Sequence, residues 1–519
     1  MFPEQLHKSV YLGALILLVI SLPYSVFTLS VALITLMVNW ILEGKFKHKW
    51  EMAKERPSLW IMMMIYAVHL LWMANTSDYS WGLHDLKIKL PLLTIPLVIG
   101  TSETLDISKI KAILHFYIAA LFVATIICAY HIFRTHVTSI NSGNDYFSYV
   151  SHIRLSLMVV MAIFIVPWLF AKEQFKFRWL YIPLCIWFIV SLAFLQVLTG
   201  VVIFITTTSI LLMWTVFQHQ NLMLRWFLVV IFFTLITLTS FYLTHAYARF
   251  YAFDNIDISS LPIVTSNGNP YWHNPNSKSI ENGHYVNLCI CELEMRKAWN
   301  VRSKLMYDSN TFNGGQVKQC LVRYLTSKGL TKDSLGVHQL TSREIRYIET
   351  GTANYIDTVK YGLYPRIYVA LWELYNYKNG ANPTGYSISQ RLEFLKTGFH
   401  IIQRNKWFGV GTGDIPDGLA KQYDLDKSPL AKGSRLRTHN QWITFIITFG
   451  IIGFLIIVCS LLLPPFLERK YSNYLFLAIF TIGFLSFLNE DTLETHQGVT
   501  FFAFFYTLFI FYKEDDQTT

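Results

Sequence analysis

Charge is scarce in this chain. Asp, Glu, Lys and Arg make up 15% of 519 residues, whereas 53% are hydrophobic and 16% aromatic. Soluble domains carry roughly a quarter charged residues, so an ordinary soluble fold is excluded. The sequence also lacks an internal repeat and any low-complexity tract. Its N-terminus runs straight into an apolar stretch without a small-residue cleavage site, which reads as a retained first helix and not a signal peptide. What the chain has in quantity is long apolar runs, many of roughly 18 residues or more and each able to cross about 30 Å of hydrocarbon.

Twelve such segments lie near 9–22, 24–43, 58–74, 88–100, 111–131, 153–170, 179–197, 200–217, 225–244, 440–463, 471–488 and 497–512. The fourth is short and carries Pro91 and Pro96, which predicts a kinked or incompletely spanning element. The expected fold class is therefore all-α. It is a polytopic membrane protein with about twelve transmembrane helices and a large, mostly helical outer loop. Residues 1–244 form a membrane domain with spans one to nine, 245–438 the loop, and 439–519 the last three spans and a short tail.

The formal net charge of +10 would suit a nucleic-acid partner, but its placement points to lipid headgroups instead. Lys45, Lys47, Lys49, Lys54 and Arg56 crowd one short loop. Lys109 and Lys111, then Lys172, Lys176 and Arg178, then Arg225, Arg469 and Lys470 occupy loops of the same parity. The opposite loops hold acids such as Asp78, Asp85, Glu490, Asp491 and Glu494. That asymmetry places both termini in the cytoplasm and the large loop outside, in the periplasm or its equivalent. The loop's 24 basic and 16 acidic residues do not bear on orientation, because long loops cross regardless of charge. Its first part, 254–288, is rich in Asn, Ser, Pro and Gly and reads as irregular. Helical periodicity follows from Glu292, with a Thr cap and glycine stop around TSREIRYIETG.

Of six cysteines, Cys128, Cys185 and Cys459 fall in spans and read as packing residues. Cys289, Cys291 and Cys320 lie in the outer loop, where Cys320 could pair with either of the others. His273 and His284 are nearby, but the spacing matches no zinc pattern. No metal and no cofactor is expected.

The chemistry concentrates between Arg391 and Gly453. An amphipathic basic segment leads to Gly409-Val-Gly411-Thr-Gly413-Asp414, and a polar run ends in Arg435-Leu-Arg437-Thr-His439-Asn440 before a long apolar helix. Ionisable groups at a membrane edge are costly, and so are functional candidates. His439 could take a proton from a hydroxyl; the plainer alternative is an interfacial anchor. Arg391, Arg435 and Arg437, with Arg154 at the outer start of the sixth span, offer planar forks for phosphate, or else snorkelling cations. The glycine cluster resembles a phosphate cradle but follows no strand, so it fails as a nucleotide fingerprint. Asp424-Leu-Asp426 has the spacing of a metal-bound sugar-nucleotide motif, yet it falls outside the cytoplasm. Asp78 and Asp85 are alternative bases, with solvated loop acids as the plainer alternative.

These elements resemble the O-antigen ligase family, which shares a C-terminal region with O-antigen polymerases. The resemblance rests on Arg391 at the head of a helix, the Gly409–Asp414 turn, His439-Asn440, Gly450 and Gly453, and weakly on the stretch from Glu490 to Gly498. It implies a metal-independent glycosyltransferase using a polyprenyl-diphosphate-linked glycan, with Arg391 and Arg154 on the diphosphate and His439 activating a hydroxyl of an acceptor such as lipid A-core. Arg435, Arg437, Asn440, Gly411 and Gly413 complete the expected substrate-binding set. In one respect the chain departs from the family, because Thr199-Gly200 stands where many relatives carry a Ser/Thr-Arg pair. A repeat-unit polymerase or protein O-oligosaccharyltransferase shares the same donor chemistry. A lipid-linked glycan transporter is the alternative of a different class, but it would show paired halves and mid-bilayer charges.

Overall fold

The computed structural model describes residues 3–135, 150–173, 178–195, 197–218, 220–358 and 363–512. Lys176 and the tail beyond residue 512, both used in the topology argument, lie outside the described residues.

The described chain is mostly helical, with one short hairpin inside a largely irregular stretch from 251 to 291. The first half runs through α1 (Glu4–Ser21), α2 (Val26–Glu43), α3 (Phe46–Lys54), α4 (Pro57–Leu71), α5 (Tyr79–Lys89), α6 (Pro91–Thr101), α7 (Ile107–Thr135), α8 (His152–Lys172), α9 (Tyr181–Leu195), α10 (Leu198–Gln218) and α11 (Leu222–Phe250). The hairpin β1 (Ile280–Glu281) and β2 (His284–Tyr285) comes next, followed by α12 (Glu292–Arg302), α13 (Val317–Ser327), α14 (Ser334–His338), α15 (Ser342–Glu349) and α16 (Tyr364–Lys378). Then come α17 (Ser387–Arg404), α18 (Ile415–Leu425), α19 (Gln441–Leu467), α20 (Tyr474–Phe487) and α21 (His496–Phe511).

Among the described residues eight helices are long and apolar enough to cross a membrane, and α20 and α21 are shorter apolar helices. This is a polytopic membrane protein. The apolar segment expected at 88–100 divides at Pro91, which starts α6. With 11 residues, α6 is about 16 Å long at 1.5 Å per residue, too short to span alone. The polar stretch before it, expected as a loop, is α5, capped by the Asp78 side chain accepting from Trp81 N at 3.0 Å.

The chain divides into two compact units, one from Met1–His131, Asp145–Phe232 and Pro383–Thr519, the other from Ile132–Asn144 and Phe233–Asn382. In the first, α8 and α21 are central: every residue of α21 from Gln497 to Phe511 is buried, and Leu155–Val166 of α8 is buried without interruption. α2 and α10 bury only scattered positions, as helices on the lipid-facing rim do. In the second unit, Trp299, Tyr307, Leu321, Leu325 and Ile348 form a core between α12, α13 and α15. Thr341 and Glu344 make a reciprocal capping box at the start of α15. The six cysteines are free.

One irregularity organises the first unit. α19 is broken at Gly450, whose φ of 62° and ψ of −169° are not helical. A break in a membrane helix leaves backbone groups that need partners. The turn after α17 supplies them: Val410 N donates to Ile447 O (2.8 Å), Gly411 N to Thr448 O (2.9 Å), and Ile451 N to Lys406 O (2.8 Å). A side chain at Gly450 would put Cβ 2.2 Å from the Trp407 carbonyl carbon, and one at Gly411 would lie 2.1 Å from Asn75 O. Both positions require glycine.

Candidate active site at a buried charge cluster

The segment 437–441 meets the 488–494 turn and the end of α5. His439 has a left-handed backbone, φ 49°, which is uncommon for a residue with a Cβ. It is held there on both sides. His439 N donates to Asp491 Oδ2 at 3.0 Å. Asn440 caps α19 by accepting from Ile443 N at 3.0 Å and donates to Leu488 O at 2.9 Å. Thr444 Oγ1 donates to the other Asp491 oxygen at 2.8 Å. The ring of His439 lies 5.7 Å from that of Phe394, and its Nδ1 is buried without a hydrogen bond, 3.7 Å from Glu490 Oε2. The side chain is 30% exposed, so its exposure comes from the rest of the ring.

Arg391, on α17, reaches the same carboxylate. Its Nη2 donates to Glu490 Oε1 at 2.7 Å and its Nη1 to Asn489 Oδ1 at 2.8 Å. Asn489 Nδ2 in turn donates to Thr199 Oγ1 at 2.6 Å, which ties the turn to α10 at the Thr199-Gly200 position. Burial raises the Glu490 pKa, but His439, Arg391 and Arg154 outweigh it and hold the carboxyl below its ordinary value.

A second, deeper set adjoins the first. Lys89 Nζ lies 2.6 Å from Asp85 Oδ1 and 2.9 Å from Glu494 Oε2, and all three side chains are buried. Arg437 also pairs with Glu494 and stacks near Trp81, 5.9 Å from its ring centre. Gln441 Nε2 donates to Glu494 Oε1 at 2.9 Å, and its Oε1 accepts from Leu493 N at 2.8 Å. Burial pushes the Glu494 carboxyl up, yet Lys89 and Arg437 more than reverse this and leave it far below the usual carboxylate range. The Asp491 carboxyl goes the other way, raised by burial and by Glu494 beside it. Asp85, expected as a solvated loop acid, is instead 3% exposed.

The remaining sequence candidates lie in other surroundings. Arg435 pairs with Asp424 at 2.5 Å and stacks on Tyr423. Asp426 accepts from His400 Nδ1 at 2.9 Å, so the two acids of Asp424-Leu-Asp426 answer to different partners. Gly411 and Gly413 have their amides taken up by Thr448 O and Thr76 Oγ1, and Asp414 accepts from the backbone of Ser77 and Asp78 at 2.8–2.9 Å. Among the described residues there is no group of three or more His, Cys, Asp or Glu that could hold a metal ion.

Sequence reasoning missed Lys89, Glu490, Asp491, Glu494 and Gln441 as site residues. The available signal was four polar residues, Asn489 to Thr492, with a further acid at Glu494, between two apolar runs. The cost of acids at a membrane edge makes such a turn a candidate.

A polytopic helical membrane protein with ionised groups gathered at the head of a broken helix is the class these features define. Residues 355–458 match the family model described as O-Antigen ligase. The match takes in α17, the glycine turn, α18 and most of α19, and so includes Arg391 and His439. That stretch, about a fifth of the 519 residues, carries the O-antigen ligase domain. No curated protein matches the chain.

Proposed function

We propose that the protein is a metal-independent glycosyltransferase of the inner membrane, and that it moves a glycan from a polyprenyl-diphosphate donor to a hydroxyl acceptor such as lipid A-core on the periplasmic face. About twelve helices or half-helices cross or enter the bilayer in this reading, with both termini inside and 245–438 outside. The observation that carries it is the convergence of His439 and Arg391 on Glu490, within or beside the segment that matches the ligase family.

Outside the cytoplasm no ATP is at hand, so the donor arrives already activated. His439 takes the proton from the acceptor hydroxyl as its oxygen attacks the anomeric carbon. The bond from that carbon to the diphosphate oxygen breaks, and the lipid diphosphate leaves with the electron pair. Negative charge grows on the leaving oxygen, where Arg391 and Arg154 stabilise it most. Asp491 and Asn440 hold the His439 backbone, while Glu490 positions both His439 and Arg391.

The test is reconstitution of purified protein in vesicles with the glycolipid donor extracted from the producing strain. Transfer predicts glycan-bearing acceptor and free polyprenyl diphosphate in equal amounts. Passage of intact donor across the bilayer without cleavage would make the protein a transporter.

A further inference from the structure

A concavity lies on the first unit, at the opposite end of α17 from Arg391. It is a cleft of about 590 Å³ walled by the C-terminal turn of α17, the glycine turn, the face of α18 and the 75–77 segment. Asn75, Arg404, Asn405, Asp414, Asp417 and Lys421 supply most of its polar lining, and Ile401, Val410 and Leu425 its apolar patches. Arg404, Asn405, Asp417 and Lys421 are exposed. None of the ion pairs of the described residues uses Arg404, Lys421 or Asp417, in contrast to the closed set around Glu494.

The lining is mixed in a way that narrows the occupant. Carboxylates on the wall disfavour a free phosphate or an anionic headgroup. Two carboxylates with two cations beside them do not make a divalent-cation site. Side chains that only donate (Arg404, Lys421), only accept (Asp417) or do both (Asn75, Asn405) match hydroxyl groups, each of which donates and accepts. Small apolar patches between them suit the C–H faces of a sugar ring.

Arg404 is 13 residues beyond Arg391 on one continuous helix, about 20 Å along its axis. A ligand held in the cleft is therefore remote from the reacting centre, which suits an extended oligosaccharide. We propose that this cleft is a glycan-binding subsite, taking sugar residues of donor or acceptor that lie away from the bond being made. The inference rests on the glycosyltransferase reading and extends it, because binding energy gathered on remote parts of a substrate can be used at the reacting centre.

Gly418 lines the cleft, and a Cβ there would only meet Val410 at ordinary contact distance, 3.6 Å. Gly418→Ala should fold normally, and Gly418→Trp fills the cleft without removing a hydrogen bond. The probe is the delipidated oligosaccharide released by mild acid from the strain's own lipid-linked donor and, separately, from its acceptor. Binding is measured by calorimetry on full-length protein in nanodiscs. Wild type, Gly418→Ala and His439→Ala should bind at least one of the two, while Gly418→Trp and the Asp417→Asn, Lys421→Ala double variant should bind at least tenfold more weakly. Unchanged binding in folded Gly418→Trp would overturn the subsite, as would stronger competition by inorganic phosphate than by sugar. Neither outcome touches the transfer reading, which fails separately if folded His439→Ala transfers glycan at the wild-type rate.

Discussion

Lys89 Nζ lies 2.9 Å from Glu494 Oε2, although 405 residues separate them and Lys89 is 1% exposed. The lysine faces two acids at once, Asp85 and Glu494. A buried charge network of this kind is held by complete pairing, and removing one partner strands the others. Lys89→Met should cost about 3–5 kcal/mol, read as a shift in denaturant unfolding of purified protein. A shift within about 1 kcal/mol would mean that water or another cation satisfies the two carboxylates.

The break in α19 makes a sharper prediction. Gly450→Ala meets both a backbone conformation that essentially only glycine adopts (φ 62°, ψ −169°), costing about 1–3 kcal/mol, and a contact of 2.2 Å with the Trp407 carbonyl carbon. Yield and melting temperature should both fall. Gly433→Ala, where a Cβ would meet nothing within 4 Å, is the control and should be neutral. A neutral Gly450→Ala would show that the break is not required for folding.

Acid sensitivity should appear in the second unit at Glu294. Burial raises its pKa, but bonds from Thr265, Asn269, Ser334 and Asn267 bring it down to about 2 from an ordinary 4.5. The folded value is the lower one, so its stabilisation is full above the ordinary value and lost as pH falls toward about 2. Hydrogen exchange of residues 265–294 should accelerate across that window in wild type, and Glu294→Gln should remove most of the pH dependence. The same acid response in both proteins would assign it to another group.

Orientation follows from the short basic loops. Single cysteines at the exposed positions Lys47 and Lys278 should label from opposite sides of sealed vesicles, above the background of unsubstituted protein. Labelling of both from the same side would overturn this topology and, with it, the compartment of the donor.

The legible part of the site was the part written locally. His439, Asn440 and Arg391 stand out because polar residues precede a long apolar run, and period 3.6 shows α17 as a helix. Lys89 and Glu494 were not legible as partners, since nothing local in either neighbourhood specifies a contact across most of the chain. The glycine turn shows a different limit. Its composition suits a phosphate cradle and a structural turn equally well, and only the break at Gly450 reveals where its amides go. Asp85 looked solvated because the α5 stretch is polar, yet the 488–494 turn and α21 pack against α5 and help to bury it.

The most direct test separates donor binding from transfer in folded, monodisperse variants. His439→Ala should lower turnover by roughly 10²–10⁴ and still bind the polyprenyl-diphosphate donor almost as wild type does. Arg391→Ala should lose both donor affinity and turnover, and Arg391→Lys should recover only part, because a point charge lacks the guanidinium fork. Full transfer by folded His439→Ala would contradict the account and remove the histidine from the reaction.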